Sequence, residues 1–299
     1  MNVSLIDGDS IFYILAWQFR ERSAGDEFLD AHGHVPLDGE VATEMYGAVD
    51  QFIIGILQAT NADMYLGAIG DKVKCFRHQV AKFKPYKGKR GEPEPWYLLW
   101  KPVIEHRLRE EWGFVSVPGL EADDIIALAH EKWTSAHKLA ELDWIITVCS
   151  PDKDMRQLAG KHFDYKKLDY AEVTLTEAEY NLAFQMIAGD TTDGVAGIPG
   201  AGEKKAKEKL KEAMEKGIFP DQMVRSMYNK HFGDYYGGII YQENLAVLTM
   251  MNTGHMFYTD CSWWNGDVLE ERLQLRPVPE GIKQDSETLD TLKALGWGN

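Results

Sequence analysis

The chain has 299 residues, 44% of them apolar, enough to bury one large core or two modest ones at about 100 to 200 residues per domain, so a globular, two-lobed protein is expected. Its 47 acidic and 32 basic side chains leave a net charge of −15, which argues against a protein that coats nucleic acid indiscriminately. No run approaches the roughly 18 apolar residues that cross a bilayer, and the three cysteines, Cys75, Cys149 and Cys261, form no Cys-x-x-Cys pair, which predicts a soluble, unsecreted protein of a reducing compartment without a zinc knuckle.

Residues 3–6 form a short apolar strand broken by Asp7-Gly8-Asp9, and a helix is expected over 11–19. The helical period returns over 41–60, and a strand at 64–69 ends at Asp71. From Lys72 the chain carries Lys74, Arg77, Lys82, Lys84, Lys87, Lys89 and Arg90 without one carboxylate, a local basic surface on an acidic body. A helix over 96–112, a strand at 115–117 before Pro118-Gly119 and a helix over 121–133 follow. In the last of these, Ala122, Ile125, Ile126, Ala129 and Trp133 make an apolar stripe. Glu121, Asp123 and Asp124 fan away from it in the first turn. A strand at 144–149 ends at Ser150-Pro151-Asp152, with Asp154 just beyond. Alternating strands and helices predict an α/β fold with a mainly parallel central sheet flanked by helices, whose ligands bind beyond the carboxyl ends of the strands.

After Tyr170 the pattern turns helical, over 177–188, 203–216 and 222–231, followed by a turn-rich stretch at 232–238. One further helix begins near Tyr241; the remainder, with Trp263, Trp264 and the prolines of 277–279, is expected to wrap back on the first lobe. Inside this half lies a glycine-dense turn with Asp190 and Asp193 at its start. Gly197, Gly200 and Gly202 permit positive φ and close approach, and the helix that follows offers unpaired amides to an anion. Lys204, Lys205, Lys207, Lys209 and Lys211 add cationic charge suited to a nucleic-acid backbone. A glycine-terminated connection before a solvated Lys/Glu helix explains the same residues, because Glu203, Glu208 and Glu212 alternate with the lysines.

Each acidic cluster has its own ordinary explanation as a helix cap or turn former. Capping does not explain why all of them fall at the site-forming end of one sheet. Brought together without cations, these carboxylates would repel and raise one another's pKa values. All-oxygen donors suit Mg²⁺ or Mn²⁺, and two such ions about 4 Å apart can clamp the attacking and leaving oxygens of a phosphodiester. Hydrolysis of nucleic acid is the reaction this chemistry favours.

Over roughly residues 1–250 the chain resembles the 5′ nuclease superfamily of flap endonucleases, bacteriophage 5′-to-3′ exonucleases and the 5′ nuclease domain of bacterial DNA polymerase I. Ile6-Asp7-Gly8, Gly70-Asp71, Glu121-Ala122-Asp123-Asp124 and Ser150-Pro151-Asp152-Lys153-Asp154-Met155-Arg156-Gln157-Leu158 look like its first four motifs in order, and the glycine turn looks like its helix-three-turn-helix. The resemblance implies a PIN-like nuclease core at 1–176 with a basic arch at about 72–112, a DNA-binding module at 177–245, and a C-terminal segment at 246–299 packed on the core. It implies a metal-dependent 5′-to-3′ exonuclease or flap endonuclease of replication, repair or primer removal, cytoplasmic in a bacterial or phage-infected cell. Asp7, Asp71, Glu121 and Asp123 would hold one Mg²⁺, and Asp124, Asp152, Asp154 and Asp193 a second, with Asp190 nearby; Mn²⁺ would substitute. Lys87 and Arg90 would act on the scissile phosphate. Tyr86, Lys89, Gly197, Gly200, Gly202, Lys204 and Lys205 would bind DNA, with a monovalent cation at the glycine-rich turn. The implied partner is duplex DNA with a 5′ end or flap, or an RNA–DNA hybrid, met by a monomer with no membrane contact. Tyr86, Trp96, Tyr97 and Trp100 would stack on unpaired bases, although Trp96 and Trp100, four apart, equally fit a core. Gly194, Ala196 and Ala201 stand where Asn, Pro and Ile or Val are usual, which predicts a looser turn, and Asp9 is an extra acid.

Two rival readings remain at this level. Leu5-Ile6-Asp7-Gly8-Asp9 has the look of a haloacid-dehalogenase-type phosphatase, in which Asp7 would be a covalent nucleophile. A structure-specific DNA-binding protein without catalysis is the other, against which stands the full set of carboxylates.

Overall fold

Val3, Leu5 and Ile6 of strand β1 (Asn2–Asp7) are at most 1% exposed, as a strand at the centre of a sheet covered on both faces requires. In this computed structural model, which describes residues 1–24, 29–71, 75–89, 91–252 and 270–282, β1 runs parallel to β2 (Met64–Ala68) on one side and β3 (Ile145–Cys149) on the other. Beyond β3 lie β4 (Gly160–Asp164), parallel to it, and β5 (Asp169–Val173), antiparallel. A two-residue strand, Arg276–Pro277, closes the far edge antiparallel to β2. The order β5-β4-β3-β1-β2 and then this last strand is a mixed sheet with a parallel centre.

Helices α1 (Asp9–Gln18), α2 (Glu40–Ala59) and α4 (Pro95–Glu110) cover one face through Phe12, Leu15, Phe52, Ile53, Trp100 and Ile104, with the one-turn α3 (Arg77–Val80) between α2 and α4 in the chain. Helix α5 (Ala122–Leu139) covers the other with Ile125, Ile126 and Ala129 against Leu5, Leu66 and Val148. Each such apolar side chain contributes about 1.5 to 3 kcal/mol on full burial. Met250, Met251 and Leu273 join this second cluster, and Trp133 Nε1 donates to Leu273 O at 3.1 Å. Trp263, Trp264 and Cys261 lie outside the described residues.

The second half is helical: α6 (Leu175–Ala188), α7 (Glu203–Glu215), α8 (Pro220–Phe232) and α9 (Asp234–Leu248) pack around Met186, Ile187, Leu210, Val224, Tyr228 and Tyr241. A capping box starts α6, with Thr174 Oγ1 accepting from Glu177 N and Glu177 Oε2 from Thr174 N. Strands β6 (Gly189–Asp190) and β7 (Val195–Ala196) form a minimal antiparallel pair that holds the acidic end of the glycine turn; Arg276–Pro277 is accordingly β8. Among the described residues no helix is long and apolar enough to cross a membrane.

Two expectations are corrected and one element is added. Residues 115–117 are not a strand: Val115 makes a single parallel bridge to Ala68 before Pro118-Gly119 turns the chain away, while β8 takes the other end of the same edge. The β4–β5 hairpin answers no expected element, because the largely exposed edge strand β5 carries little apolar pattern. The stretch 232–238 turns only at Gly233 (φ +79); Gly237 and Gly238 lie inside α9. A Cβ at Gly237 would sit 2.8 Å from Asn229 Cα, so that glycine serves the close approach of α8 and α9 rather than a turn.

Candidate active site

Asp7 closes β1 with its side chain only 5% exposed. Its Oδ2 accepts from Ser150 Oγ at 2.8 Å and its Oδ1 from Asp9 N at 3.0 Å, while Tyr165 OH donates to its carbonyl at 2.6 Å. The loops after β1, β2 and β3 thus meet at one point, since Asp9 Oδ1 also accepts from Gly70 N at 2.9 Å. Burial first, and then the neighbouring charge of Asp9, pushes the Asp7 carboxyl up to about 7.

After β3, Ser150 Oγ accepts from Asp152 N, and Asp152 caps the short helical turn Lys153–Gln157 by accepting from Asp154 N at 2.8 Å. Asp154 is held by Gln185 Nε2 at 2.5 Å, and burial together with Asp152 raises it to about 7. Asp190, 5% exposed, accepts from Thr192 N and Asp193 N, closing the turn between β6 and β7. Gly194 follows at φ +77, where a Cβ would lie 3.1 Å from Pro85 O. The turn is therefore packed on the basic segment, not loosened as its departures from the family pattern predicted.

That segment reaches the acids directly. Lys87, at φ +53, donates its N–H to Asp193 O at 2.9 Å and its ammonium to Glu121, with Asp193 Oδ1 3.9 Å away. Tyr86 OH lies 2.7 Å from Glu121 Oε2 and 3.0 Å from Asp193 Oδ2. One hydroxyl proton faces two carboxyls, and their environments differ: burial raises Asp193. Glu121 is also pushed up by burial, but Arg77 and Lys87 prevail and hold it down to about 2. Asp123 is raised well above the usual range by burial and by the charge of Asp124.

Hydrogen bonds tie these acids into two groups: Ser150 links Asp7 to the Asp152–Asp154 turn, and Tyr86 and Lys87 link Glu121 to Asp193. Neighbouring carboxylates add to burial in raising Asp7, Asp154 and Asp193. Among the described residues, Glu121, Asp123 and Asp124 each place an oxygen within 4.8 Å of the others; Asp124 is spent on Arg77, which leaves Glu121 and Asp123 as the pair of this group that could hold a metal ion. Hard carboxylate oxygens so gathered fit a divalent cation, which would offset the burial and the neighbouring negative charge that together push Asp7 and Asp154 to about 7.

Not every expected residue takes its expected place. Asp124 is wholly buried in a two-pronged pair with Arg77, at 2.6 and 2.7 Å, and is no open ligand. Asp71 turns toward the 118–121 segment, with Oδ2 accepting from Gly119 N at 3.0 Å and its N–H donating to Leu120 O. Tyr86 is 5% exposed and Trp100 is in the core, its indole donating to Phe19 O at 3.2 Å; neither is a stacking platform. Trp96 and Tyr97 are half-buried beside the exposed Tyr13 and Trp17, with Tyr13–Trp96 centroids 5.2 Å apart. A Cβ at Gly197 would overlap Gly189 N and Ile187 O, so its role is to let β6 and β7 pair closely rather than to approach a phosphate. Gly200, at φ +72, and Gly202, the N-cap of α7, do have open space, and Lys204, Lys205 and Lys89 are exposed. The glycine-rich turn expected to take a monovalent cation presents the Gly200 carbonyl to the Lys205 ammonium at 3.4 Å instead. Arg90, Lys72 and Lys74 lie outside the described residues.

The sequence assigned no role to the polar scaffold: Tyr165 and Gln185 went unnoticed, and Arg77, Ser150 and Gln157 stood only as members of the basic run and the fourth motif. Ser150 was within reach, two residues before Asp152 at a strand end. Nothing local marks Arg77 as the buried one among the described cations of that stretch.

The 5′-3′ exonuclease N-terminal resolvase-like domain model matches residues 2–185. The chain is similar to a 5′-3′ exonuclease of Mycoplasma pneumoniae, 26% identical over 231 residues that cover 71% of this chain and 72% of that protein. It is also similar to the thermostable DNA polymerase I of Thermus thermophilus, 29% identical over 227 residues, 71% of this chain but 24% of the polymerase. A Mycoplasmopsis pulmonis 5′-3′ exonuclease is matched over 54% of its length, so the chain spans a part of several of these relatives. Among solved structures, bacteriophage T5 5′-exonuclease with zinc bound superposes with a TM-score of 0.59 at 16% identity, covering 91% of this chain and 97% of that one. The T5 flap endonuclease in a pseudo-enzyme–product complex with DNA and metal ions gives 0.58 at 15%, with the same coverage. At such identities the T5 proteins share the fold. On the family model, which spans well over half of its residues, this chain belongs to the 5′-3′ exonuclease family.

Proposed function

We propose that the protein is a divalent-metal-dependent 5′ nuclease that hydrolyses phosphodiester bonds of DNA with a 5′ end or flap, in replication, repair or primer removal. The observation that carries this reading is the set of carboxylates that hydrogen bonds gather at the carboxyl ends of β1 and β3, the start of α5 and the β6–β7 turn, in a chain of this family. The relatives described as exonucleases and the T5 structures with DNA and metal ions support it.

Asp7, Glu121 and Asp123 on one side, and Asp152, Asp154, Asp190 and Asp193 on the other, are the residues that would hold Mg²⁺ or Mn²⁺. Two bound ions would supply Lewis-acid stabilisation of the charge that grows on the phosphate oxygens. The rest of the task falls to the protein. Ser150 and Gln185 fix the orientation of Asp7 and Asp154. Tyr86 shares its proton with Glu121 and Asp193, tying the basic segment to the pocket floor. The Lys87 ammonium pairs with Glu121, 3.9 Å from Asp193 Oδ1, and would contact the scissile phosphate, with Arg90 beside it in sequence. Gly200, Gly202, Lys204 and Lys205 would grip the duplex backbone, and Lys89 and the surface at Trp96 and Tyr97 would meet the 5′ single strand. In domain terms, 1–176 would be the nuclease core, 177–245 the duplex-binding module and 246–299 a segment returning to the core; the arch expected at about 72–112 would be confined to the part before α4, because α4 packs on the sheet through Trp100, Val103, Ile104 and Leu108. A cytoplasmic monomer that also accepts RNA–DNA hybrids completes the proposal.

Digestion of end-labelled flap, nicked and blunt duplexes with Mg²⁺, Mn²⁺ or EDTA tests it. Release of 5′-phosphorylated products that stops in EDTA is expected. Turnover unaffected by chelation, or hydrolysis of p-nitrophenyl phosphate with DNA left intact, would reject it and favour the phosphatase reading that the family match speaks against.

A further inference from the structure

Arg77 is 2% exposed and uses its whole fork. Nε donates to Val247 O at 2.8 Å, Nη1 to Asp124 Oδ2 at 2.6 Å and Glu121 Oε2 at 3.1 Å, and Nη2 to Asp124 Oδ1 at 2.7 Å and Thr249 O at 3.2 Å. Five donors, the full guanidinium inventory, have five acceptors. Asp124 is equally spent: besides the two Arg77 bonds, its Oδ2 accepts from Glu121 N at 3.2 Å and its Oδ1 from Met251 N at 3.0 Å. A carboxylate has about four lone-pair sites, so none is left for a cation. The guanidinium sits where two helix ends meet. Val247 and Thr249 belong to the carboxyl end of α9, which favours a cation, and Glu121 and Asp124 to the amino end of α5, which favours anions. The same end of α9 is wired to the other side of the pocket, because Gln157 Nε2 donates to Leu248 O at 2.9 Å and to Gln185 Oε1 at 2.7 Å, and Gln185 holds Asp154.

We infer that Arg77 is a positioning residue, anchored by Asp124, which holds Glu121 and the first turn of α5 at the angle the cation pocket needs and ties that turn to the end of α9; Asp124 is the anchor of the arginine and not a metal ligand. This rests on the proposed cation pocket, and it links engagement of the α6–α9 helices to carboxylate geometry through one side chain.

The test is a double-mutant cycle with two readouts. In EDTA, Arg77→Met and Asp124→Leu should each lower the melting temperature by about 10 °C, because each leaves the other charge buried and unpaired. The double variant should recover at least half of that loss. In Mn²⁺ titrations, Arg77→Lys keeps the charge but not the fork. It and Asp124→Asn should weaken binding by similar factors of about 10 to 100, the range for residues that orient ligands, and the pair together should be no weaker than either alone. At saturating Mn²⁺, kcat on a flap duplex should fall with KM held. An Asp124→Asn loss that multiplies with that of Arg77→Lys would show Asp124 ligating in its own right and overturn the inference. So would unchanged Mn²⁺ affinity and kcat beside lowered stability. If the unaltered protein bound no Mn²⁺, the cation reading itself would fall, and the positioning role with it, while the EDTA cycle would still report the ion pair.

Discussion

The first turn of α5 and the first half of α7 are both densely charged, yet they use charge in opposite ways. In α5, Asp124 is fully buried and Glu121 is four-fifths covered; their geometry is dictated by Arg77, Tyr86 and Lys87. In α7, Lys204, Lys205 and Lys207 are exposed, and the later lysines pair loosely with Glu212 and Glu215 on the surface. Exposed pairs of that kind contribute about 0 to 1 kcal/mol. Buried charge here shapes a pocket, whereas surface charge can only attract a partner at long range.

The comparison breaks most visibly at the pocket. Asp154→Asn is expected to cut turnover by about a hundredfold or more while leaving DNA binding largely intact, measured by single-turnover cleavage and by gel-shift titration of the same flap duplex. Near-normal cleavage would remove Asp154 from the site. Inside the glycine turn the contrast can be sharpened with two alanines. Gly197→Ala should destabilise by about 2 to 3 kcal/mol, because its Cβ would overlap backbone, whereas Gly200→Ala has room and should lose only about 1 kcal/mol through its positive φ; urea melts of the two variants read the difference.

A smaller effect is expected from pH. Asp7 and Asp154 are raised from 3.8 to about 7, so between those values the folded protein binds more protons than the unfolded chain. Their contribution to stability is full below about 4 and is lost as pH rises through 7. In EDTA the melting temperature should therefore fall from pH 5 to pH 8, and Mg²⁺ should flatten that fall by binding the ionised form. A flat profile in EDTA would contradict the burial of these acids beside neighbouring carboxylates. The smallest structural effect belongs to α7. Changing Lys204 and Lys205 together to Ala should leave stability within about 0.5 kcal/mol, but lower the slope of log affinity against log salt by up to about 1.8, roughly 0.9 per phosphate contact. An unchanged slope would dismiss the grip.

Much of the architecture was legible because its signals are local. The apolar run of β1 ending at Asp7 and the stripe of Ala122, Ile125, Ile126 and Ala129 each state their element within a few residues. The hairpin of β4 and β5 was not, since half-exposed edge strands such as β5 carry little apolar pattern. Gly237 misled for the same reason: a glycine reads as a turn until the neighbouring helix shows what it must clear.

By itself the sequence determined the order of strand ends and acids, the basic stretch between β2 and α4, and the family to which the chain belongs, because hydrophobic period and motif spacing are properties of neighbours along the chain. Only the tertiary structure decided which charges face one another. Asp123 and Asp124 are adjacent and chemically identical, but one turn of α5 directs the first toward the pocket and buries the second against Arg77, 47 residues away in the chain. The cost of leaving a buried charge unpaired makes that choice, and it is settled by packing across α3, α5 and α9 rather than by any pattern within one of them.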